Sequence, residues 1–389
     1  MISYDKKLLE NTYLVNEAKS LETSGFISQE QVAAIKNNFT ALKTQDNLFI
    51  RICLFLLGSI LYLSICGAIG FLGLNSFNSD SDTSMSILIF IFGLTGFLTT
   101  EFILVRTKNY FGNGLDDSFI IGMQIAFNGL ILFFNNSDMV FCFSIFSIST
   151  LCYFRYLHLV SLLASYISVI ALLFFIFIDY IHYGAEILPF ILFFFGIGSY
   201  LFSKKITSKI KTPYYSAGIL LISNLGLILT YLSMNYFIVR ELSNEINSSR
   251  GEIPMAWLFY SFTILIPLFY LFYSIKTKNK PMLWIGGLTM AFTVFTIRYY
   301  HHIMPTEISL TLAGIILFSI AFLAIRKLKM KESGITFLPD RFEPSNSLLN
   351  IETLASASQF GIQTEDQTTD SPMDFGGGGF SGGGAGESF

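Results

Sequence analysis

Residues 50–74 read IRICLFLLGSILYLSICGAIGFLGL, a stretch whose one charged residue, Arg51, stands at its start. A helix needs about 20 apolar residues to cross the hydrocarbon core of a bilayer. This run exceeds that length and contains no Pro or acidic residue. Nine further apolar runs follow, at 85–105, 119–134, 139–154, 157–178, 187–202, 214–239, 255–274, 282–297 and 308–325. The pattern predicts an all-α fold, a polytopic transmembrane helix bundle of about ten spans over residues 50–325. The third, fourth, sixth and ninth runs are 16 residues each and read as short.

Composition agrees with the runs. Hydrophobic residues make up 52% of the chain, charged residues only 13%, and the mean hydropathy is +0.59. Soluble domains carry about 25% charged residues, and a water-soluble fold of this length cannot hide so much apolar surface. The net charge of −3 leaves no basic footprint for a nucleic-acid partner. Cys53, Cys66, Cys142 and Cys152 all lie in apolar runs with no CxxC spacing, so neither a zinc site nor a disulfide framework is predicted. Residues 1–47 contain no apolar core of a signal peptide, which makes the first run an uncleaved anchor.

Charge placement orients the bundle. With the N-terminus in the cytoplasm and all ten runs crossing, only Arg240, Arg250 and Arg298 of the 24 Lys and Arg residues fall outside. Such asymmetry is what the positive-inside rule expects, and it puts both termini on the cytoplasmic side. The weakest junction is between the fourth and fifth runs, where Arg155-Tyr156 is flanked by neither Gly nor Pro. Fusing those runs leaves nine spans and puts the Arg326–Lys331 cluster outside, so two helices joined by a tight interfacial turn are preferred. The third and fourth runs can alternatively form a re-entrant hairpin.

Residues 1–49 form a separate cytoplasmic unit. Leu8, Leu9, Tyr13, Val15 and Ala18 trace an apolar stripe, Gly25 is placed to end that helix, and Ser28-Gln29-Glu30-Gln31 is a capping box for a second one. The resulting helical hairpin is a cap on the bundle or a docking element for a protein partner. The string Leu21-Glu22-Thr23-Ser24-Gly25-Phe26-Ile27-Ser28-Gln29-Glu30-Gln31, followed by Ala34-Ile35 and by Leu57-Gly58-Ser59, resembles the start of bacterial membrane proteins of domain-of-unknown-function family 2157. That family usually carries a Trp shortly before the Gly, where this chain has Leu21 and Ser24. The resemblance covers about 60 residues and implies an integral membrane protein without supplying an activity.

Residues 326–389 are a tail of changing character. Arg326, Lys327, Lys329 and Lys331 suit anionic headgroups, and acids dominate thereafter. The end, residues 375–389, is Gly-rich and reads as disordered. It is similar to the Gly-rich tails of some TPM-domain membrane proteins, although the TPM domain itself is absent. Phe375, Phe380 and Phe389 are candidate anchors for a protein partner.

Chemistry within the spans is sparse. Glu101 reads as the one intramembrane acid, with Arg106 five residues on as its nearest cation. Gln124 and Asn128 lie one turn apart on the third span, and Asn224 sits midway along the seventh. Buried amides either glue helices together or line a polar path. Gly67, Gly70 and Gly73 offer a small-residue face on the first span. Asp179, His182, Glu186, His301, His302 and Glu307 are outer-loop residues without a metal-site spacing. No catalytic constellation and no cofactor motif occurs, so no enzyme activity is predicted. Two functional classes remain. The first is a non-enzymatic scaffold or accessory protein with cytoplasmic docking elements. The second is a secondary transporter of a small solute built as two inverted five-span repeats.

Overall fold

The computed structural model of the chain describes residues 2–23, 26–76, 81–209, 213–247 and 253–300, with isolated positions between 311 and 326. The described residues form an all-helical bundle. Helices α1 (Lys6–Thr23) and α2 (Gln29–Asn38) precede α3 (Leu48–Ser76) and α4 (Ser81–Leu98), and α4 runs on into a π-helical segment, Thr99–Thr107. Then come α5 (Leu115–Phe134), α6 (Asp138–Tyr156), α7 (Leu159–Tyr180) and α8 (Gly184–Thr207). A short 3-10 turn, Pro213–Tyr215, leads into α9 (Ser216–Met234), α10 (Tyr236–Asn247), α11 (Ala256–Thr277) and α12 (Lys280–Tyr300).

Nine helices among the described residues are long and apolar enough to cross a membrane, and they match the first nine apolar runs one to one. The tenth run and the tail, including Phe375, Phe380 and Phe389, lie outside the described residues apart from isolated positions. Two expectations of shape need correction. The third and fourth runs are not short, because their helices extend to 20 and 19 residues once Leu115-Asp116-Asp117-Ser118 and the flanking Asp138, Arg155 and Tyr156 join them. The seventh run is not one helix to residue 239, because α9 stops at Met234 and extended Asn235 leads into α10.

Local chemistry explains the breaks. The fourth and fifth runs separate at Leu157, which adopts the left-handed conformation at φ 54°, and at His158, whose side chain caps α7 by accepting from the Ser161 amide. A histidine cap replaces the missing Gly or Pro. Gly114 (φ 106°) precedes α5, and a Cβ there would sit 2.3 Å from the Arg51 carbonyl oxygen, so only glycine fits.

The N-terminal helices cover one end of the bundle. The Ser28 capping box is present, with Ser28 N donating to Gln31 Oε1 at 2.9 Å. Asn11 Nδ2 donates to the Thr40 carbonyl at 2.8 Å, and the Leu42 amide donates to Thr12 Oγ1 at 2.9 Å. Lys43 then pairs with the 109–111 loop through Lys43 N to Asn109 O (2.8 Å) and Phe111 N to Lys43 O (3.1 Å). Tyr4, Leu9 and Leu42 are buried in one cluster with Val105, Ile120, Met123, Cys152, Tyr156 and Leu157 of the spans. The inner stripe of the hairpin therefore belongs to the bundle core, while Leu14, Phe26 and Phe39 stay exposed.

Candidate functional site: a buried ionic cluster and the polar chain that leaves it

Glu101 stands on the π-helical segment and is 2% exposed. In a regular α-helix a residue five positions on lies about 140° around the axis. In the π-helical turn, where bonds run from i to i+5, Arg106 comes back over Glu101, and its guanidinium reaches Oε1 at 2.9 Å. The Glu101–Arg106 pair expected from the sequence thus depends on this local widening. The larger contribution comes from Arg155 at the end of α6, which grips the same carboxylate through Nε (3.0 Å) and an Nη (2.7 Å). Tyr156 adds its hydroxyl at 3.1 Å. Neither Arg155 nor Tyr156 was a predicted site residue, although both stood out in the sequence as the whole of a junction lacking turn residues.

Glu101 is not the lone acid. Asp116 and Asp117, in the first turn of α5, are buried too. Asp116 accepts from three loop amides, Gly112 (2.7 Å), Asn113 (2.9 Å) and Gly114 (3.1 Å), and so shapes the turn that launches α5. Asp117 is held by Arg51 through Nε (2.9 Å) and an Nη (2.6 Å). His158 approaches the other Asp117 oxygen at 3.4 Å. The residues before α1 close the cluster. The Ser3 amide donates to the Arg155 carbonyl (2.9 Å), and Tyr4 packs edge-on against Phe111. Burial, together with the nearby Asp116, Asp117, Tyr156 and Glu101 charges, holds the Tyr4 phenol well above its ordinary pKa.

His158 links this cluster to the bundle interior. Its Nδ1 faces the Ser161 amide (3.2 Å) and hydroxyl (2.7 Å), which leaves the proton on Nε2, buried and without a hydrogen-bond partner among the described residues. Burial drives its pKa down to about 4, Asp117 works against that, and Arg51 adds to it, so the ring is neutral at pH 7. From Ser161 the polar contacts continue to Gln124 Nε2 (2.7 Å), and Gln124 Oε1 accepts from Ser149 (3.0 Å). Asn128 Nδ2 donates to the Gln124 carbonyl (2.8 Å) while its Oδ1 accepts from Ser144 (2.8 Å). Gln124 and Asn128 therefore share a face, as their spacing predicts, and bridge α5, α6 and α7.

Asn224 does not join them. It is half-buried on α9 and has no described bond to this chain of groups. The buried amide of the second half is instead Asn235, fully enclosed, whose Nδ2 donates to the Tyr231 hydroxyl (2.9 Å) and to Thr296 Oγ1 (3.2 Å). Sequence reading passed over it because it sits inside an apparently continuous run. The small-residue face of the first span is likewise secondary: Gly73 and Gly70 meet Leu88 and Phe92 of α4, but nothing lies within 4 Å of a Cβ at Gly67. Among the described residues no group of three or more His, Cys, Asp or Glu is arranged to hold a metal ion. Asp179, His182 and Glu186 are among these residues, while His301, His302 and Glu307 lie outside them.

Fold and site together define a polytopic α-helical membrane protein with an internal ionic cluster at one end. No protein-family model, no curated protein and no solved structure matches the chain.

Proposed function

We propose that the chain is an integral protein of the bacterial cytoplasmic membrane, with both termini in the cytoplasm, that works as a non-enzymatic scaffold or accessory protein. The observation that carries this reading is the polar chain from His158 through Ser161 and Gln124 to Asn128 and Ser144, which joins α5, α6 and α7 from within. Ionisable groups inside spans are functional by default, and here that function is to join α3 to α5 through Arg51 and Asp117 and the π-helical segment to α6 through Glu101 and Arg155. Lys and Arg placement supports the orientation, and the hairpin residues Leu14, Phe26 and Phe39 supply exposed apolar contacts for a partner. The resemblance to family 2157 accords with this reading and adds no activity to it. The alternative reading is a secondary transporter of a small solute built as inverted five-span repeats.

Reporter fusions after Lys211 and Lys280 should read cytoplasmic and one near Ser248 should read outside. Site-specific photocrosslinkers at Leu14, Phe26 and Phe39 in intact cells should give discrete protein adducts. A cysteine placed at Asn128 should resist membrane-impermeant thiol reagents. Ready labelling at that position without any hairpin adduct would favour the transporter instead.

A further inference from the structure

The second half of the bundle carries a basic seam with no ion pair among the described residues. Helices α8 and α11 run parallel: Phe190 meets Phe259, Phe193 meets Phe262, and Lys204 Nζ reaches the Tyr273 hydroxyl at 3.2 Å. Each pair is separated by 69 residues in sequence, so the two helices stay in register to their last turns. The same offset places Lys205 level with Ser274, Thr207 with Lys276, and Lys209 with Lys278. Lys204 and Lys276 are thus within about one helical turn of each other along the axis. Lys204, Lys205, Lys209, Lys276 and Lys278 are all exposed.

Among the described residues Lys204, Lys205, Lys209, Lys276 and Lys278 form no ion pair within 4 Å. Residues 187–240 and 253–306 contain no Asp or Glu at all, so α8, α9, α11 and α12 supply none beyond Glu186 at the far end of α8. Cations in the last turn of a helix complement its dipole. That explains one lysine per helix and not the convergence of two helices on one acid-free edge. Tyr273 stacks on Phe269 with ring centroids 5.5 Å apart and presents its hydroxyl beside the Lys204 ammonium. Lysine stems reach from span ends to the headgroup level, where a leaflet with anionic lipids holds its phosphates.

We propose that the end of the α8–α11 seam, around Lys204, Tyr273 and Lys276, binds the phosphate headgroup of an anionic phospholipid. The lipid serves as the counter-ion that Glu101 and Asp117 provide in the first half. This rests on the reading of the chain as a membrane-spanning protein and is independent of the scaffold assignment. The acidic stretch 332–387 is the other source of negative charge in the chain. The headgroup is favoured because the lysines sit at the last turn of two spans, at the depth of the phosphates.

The test is thermal unfolding of the full chain in nanodiscs of phosphatidylcholine alone and of phosphatidylcholine with phosphatidylglycerol. The anionic lipid should raise Tm by several degrees, and high salt should shrink the rise. The double variant Lys204→Gln/Lys276→Gln should lose most of the rise while keeping its Tm in phosphatidylcholine. The charge-matched control Lys7→Gln/Lys36→Gln, on the hairpin, should keep the rise. If the first variant is unstable in phosphatidylcholine, Lys209→Gln/Lys278→Gln replaces it with the same expectation. Equal rises in site and control variants overturn the proposal. So does a rise reproduced by inorganic phosphate in phosphatidylcholine, which assigns the site to a free anion. A rise that appears only after deletion of residues 333–389 assigns the seam to the chain's own tail and overturns it as well.

Discussion

In α3 through α7 buried carboxylates are neutralised by arginines whose own side chains stay part-exposed, whereas in α8 through α12 the interior is held by small residues, hydroxyls and aromatic rings. At the hairpin-covered end of the first half, Arg51 meets Asp117 while Arg106 and Arg155 share Glu101. In the second half, α8 and α9 approach so closely that a Cβ at Gly196 would lie 2.5 Å from Thr230 Oγ1 and 2.9 Å from the Gly226 carbonyl oxygen. A Cβ at Gly226 would lie 2.7 Å from the Gly196 carbonyl oxygen. Around Asn235 the Tyr231 hydroxyl pairs with Thr293 at 2.9 Å, and the Tyr236 amide donates to Thr263 at 3.0 Å. Arg240 beyond it lies over the Tyr300 ring at 4.6 Å, and Tyr300 bonds Glu241. The contrast teaches where each half is vulnerable: the first to loss of a charge, the second to gain of volume.

The largest expected effect follows from removing one member of the Glu101 cluster. Breaking a fully buried pair costs about 3–5 kcal/mol, and less is expected here because Arg155 and Arg106 are part-exposed and each leaves the other on Glu101. Arg155→Ala should therefore lower the Tm of the detergent-extracted protein more than Arg106→Ala, since Arg155 makes two of the bonds to Glu101 and Arg106 one. Glu101→Gln should cost less than Arg155→Ala and should make the Arg155→Ala change milder in a double-mutant cycle. Equal losses for the two arginines would show that Arg155 does not hold the cluster.

Overpacking of the second half comes next. Gly226→Leu should destabilise by more than the usual 1–3 kcal/mol for added methylenes in a filled core, because the obstacle is the backbone of α8. Gly67→Leu, where a Cβ meets nothing within 4 Å, is the matched control and should be nearly neutral. If both are tolerated alike, the α8–α9 crossing is looser than described.

A smaller effect distinguishes the halves by pH. His158 is neutral when folded, with its pKa lowered to about 4, whereas an unfolded histidine titrates near 6.5. The unfolded state therefore takes up the proton first, and stability present above pH 6.5 declines as pH falls, by roughly 3 kcal/mol at pH 4 by linkage. Between pH 6.5 and 5, Tm should fall more steeply in the native chain than in His158→Asn, which retains a cap for α7. Comparing the two profiles cancels the titration of carboxylates common to both. A native profile no steeper than that of His158→Asn over that window would mean His158 is hydrated or already protonated.

Smallest of all is the bridging amide. Hydrogen bonds between membrane helices average about 0.6 kcal/mol and reach about 1.7, so Gln124→Leu should lower Tm only slightly. Asn235→Leu, which removes a helix break as well as the bonds to Tyr231 and Thr296, should cost more. The reverse order would place the structural keystone in the first half for amides as well as for charges.

Much of the architecture was readable from composition, because transfer of a run from water to lipid is a sum over its own residues. That is why the first nine apolar runs correspond to nine long helices, and why the Ser28 capping box, settled by neighbours three residues apart, is present as read. Gln124 and Asn128 share a face for the same local reason. Other features depend on contacts that no window of sequence contains. Arg51 meets Asp117 across 66 positions and Arg155 meets Glu101 across 54, and neither pairing has a local signature. The π-helical turn that swings Arg106 over Glu101, the histidine that ends the ambiguous junction, and Asn235 breaking an unbroken apolar run are also tertiary decisions. In each, a buried polar group had to find a partner or lose several kcal/mol to desolvation. Hydropathy determined by itself that the chain crosses a membrane and where its spans lie. Only packing decided which charges meet, because that depends on distance in space and not on position along the chain.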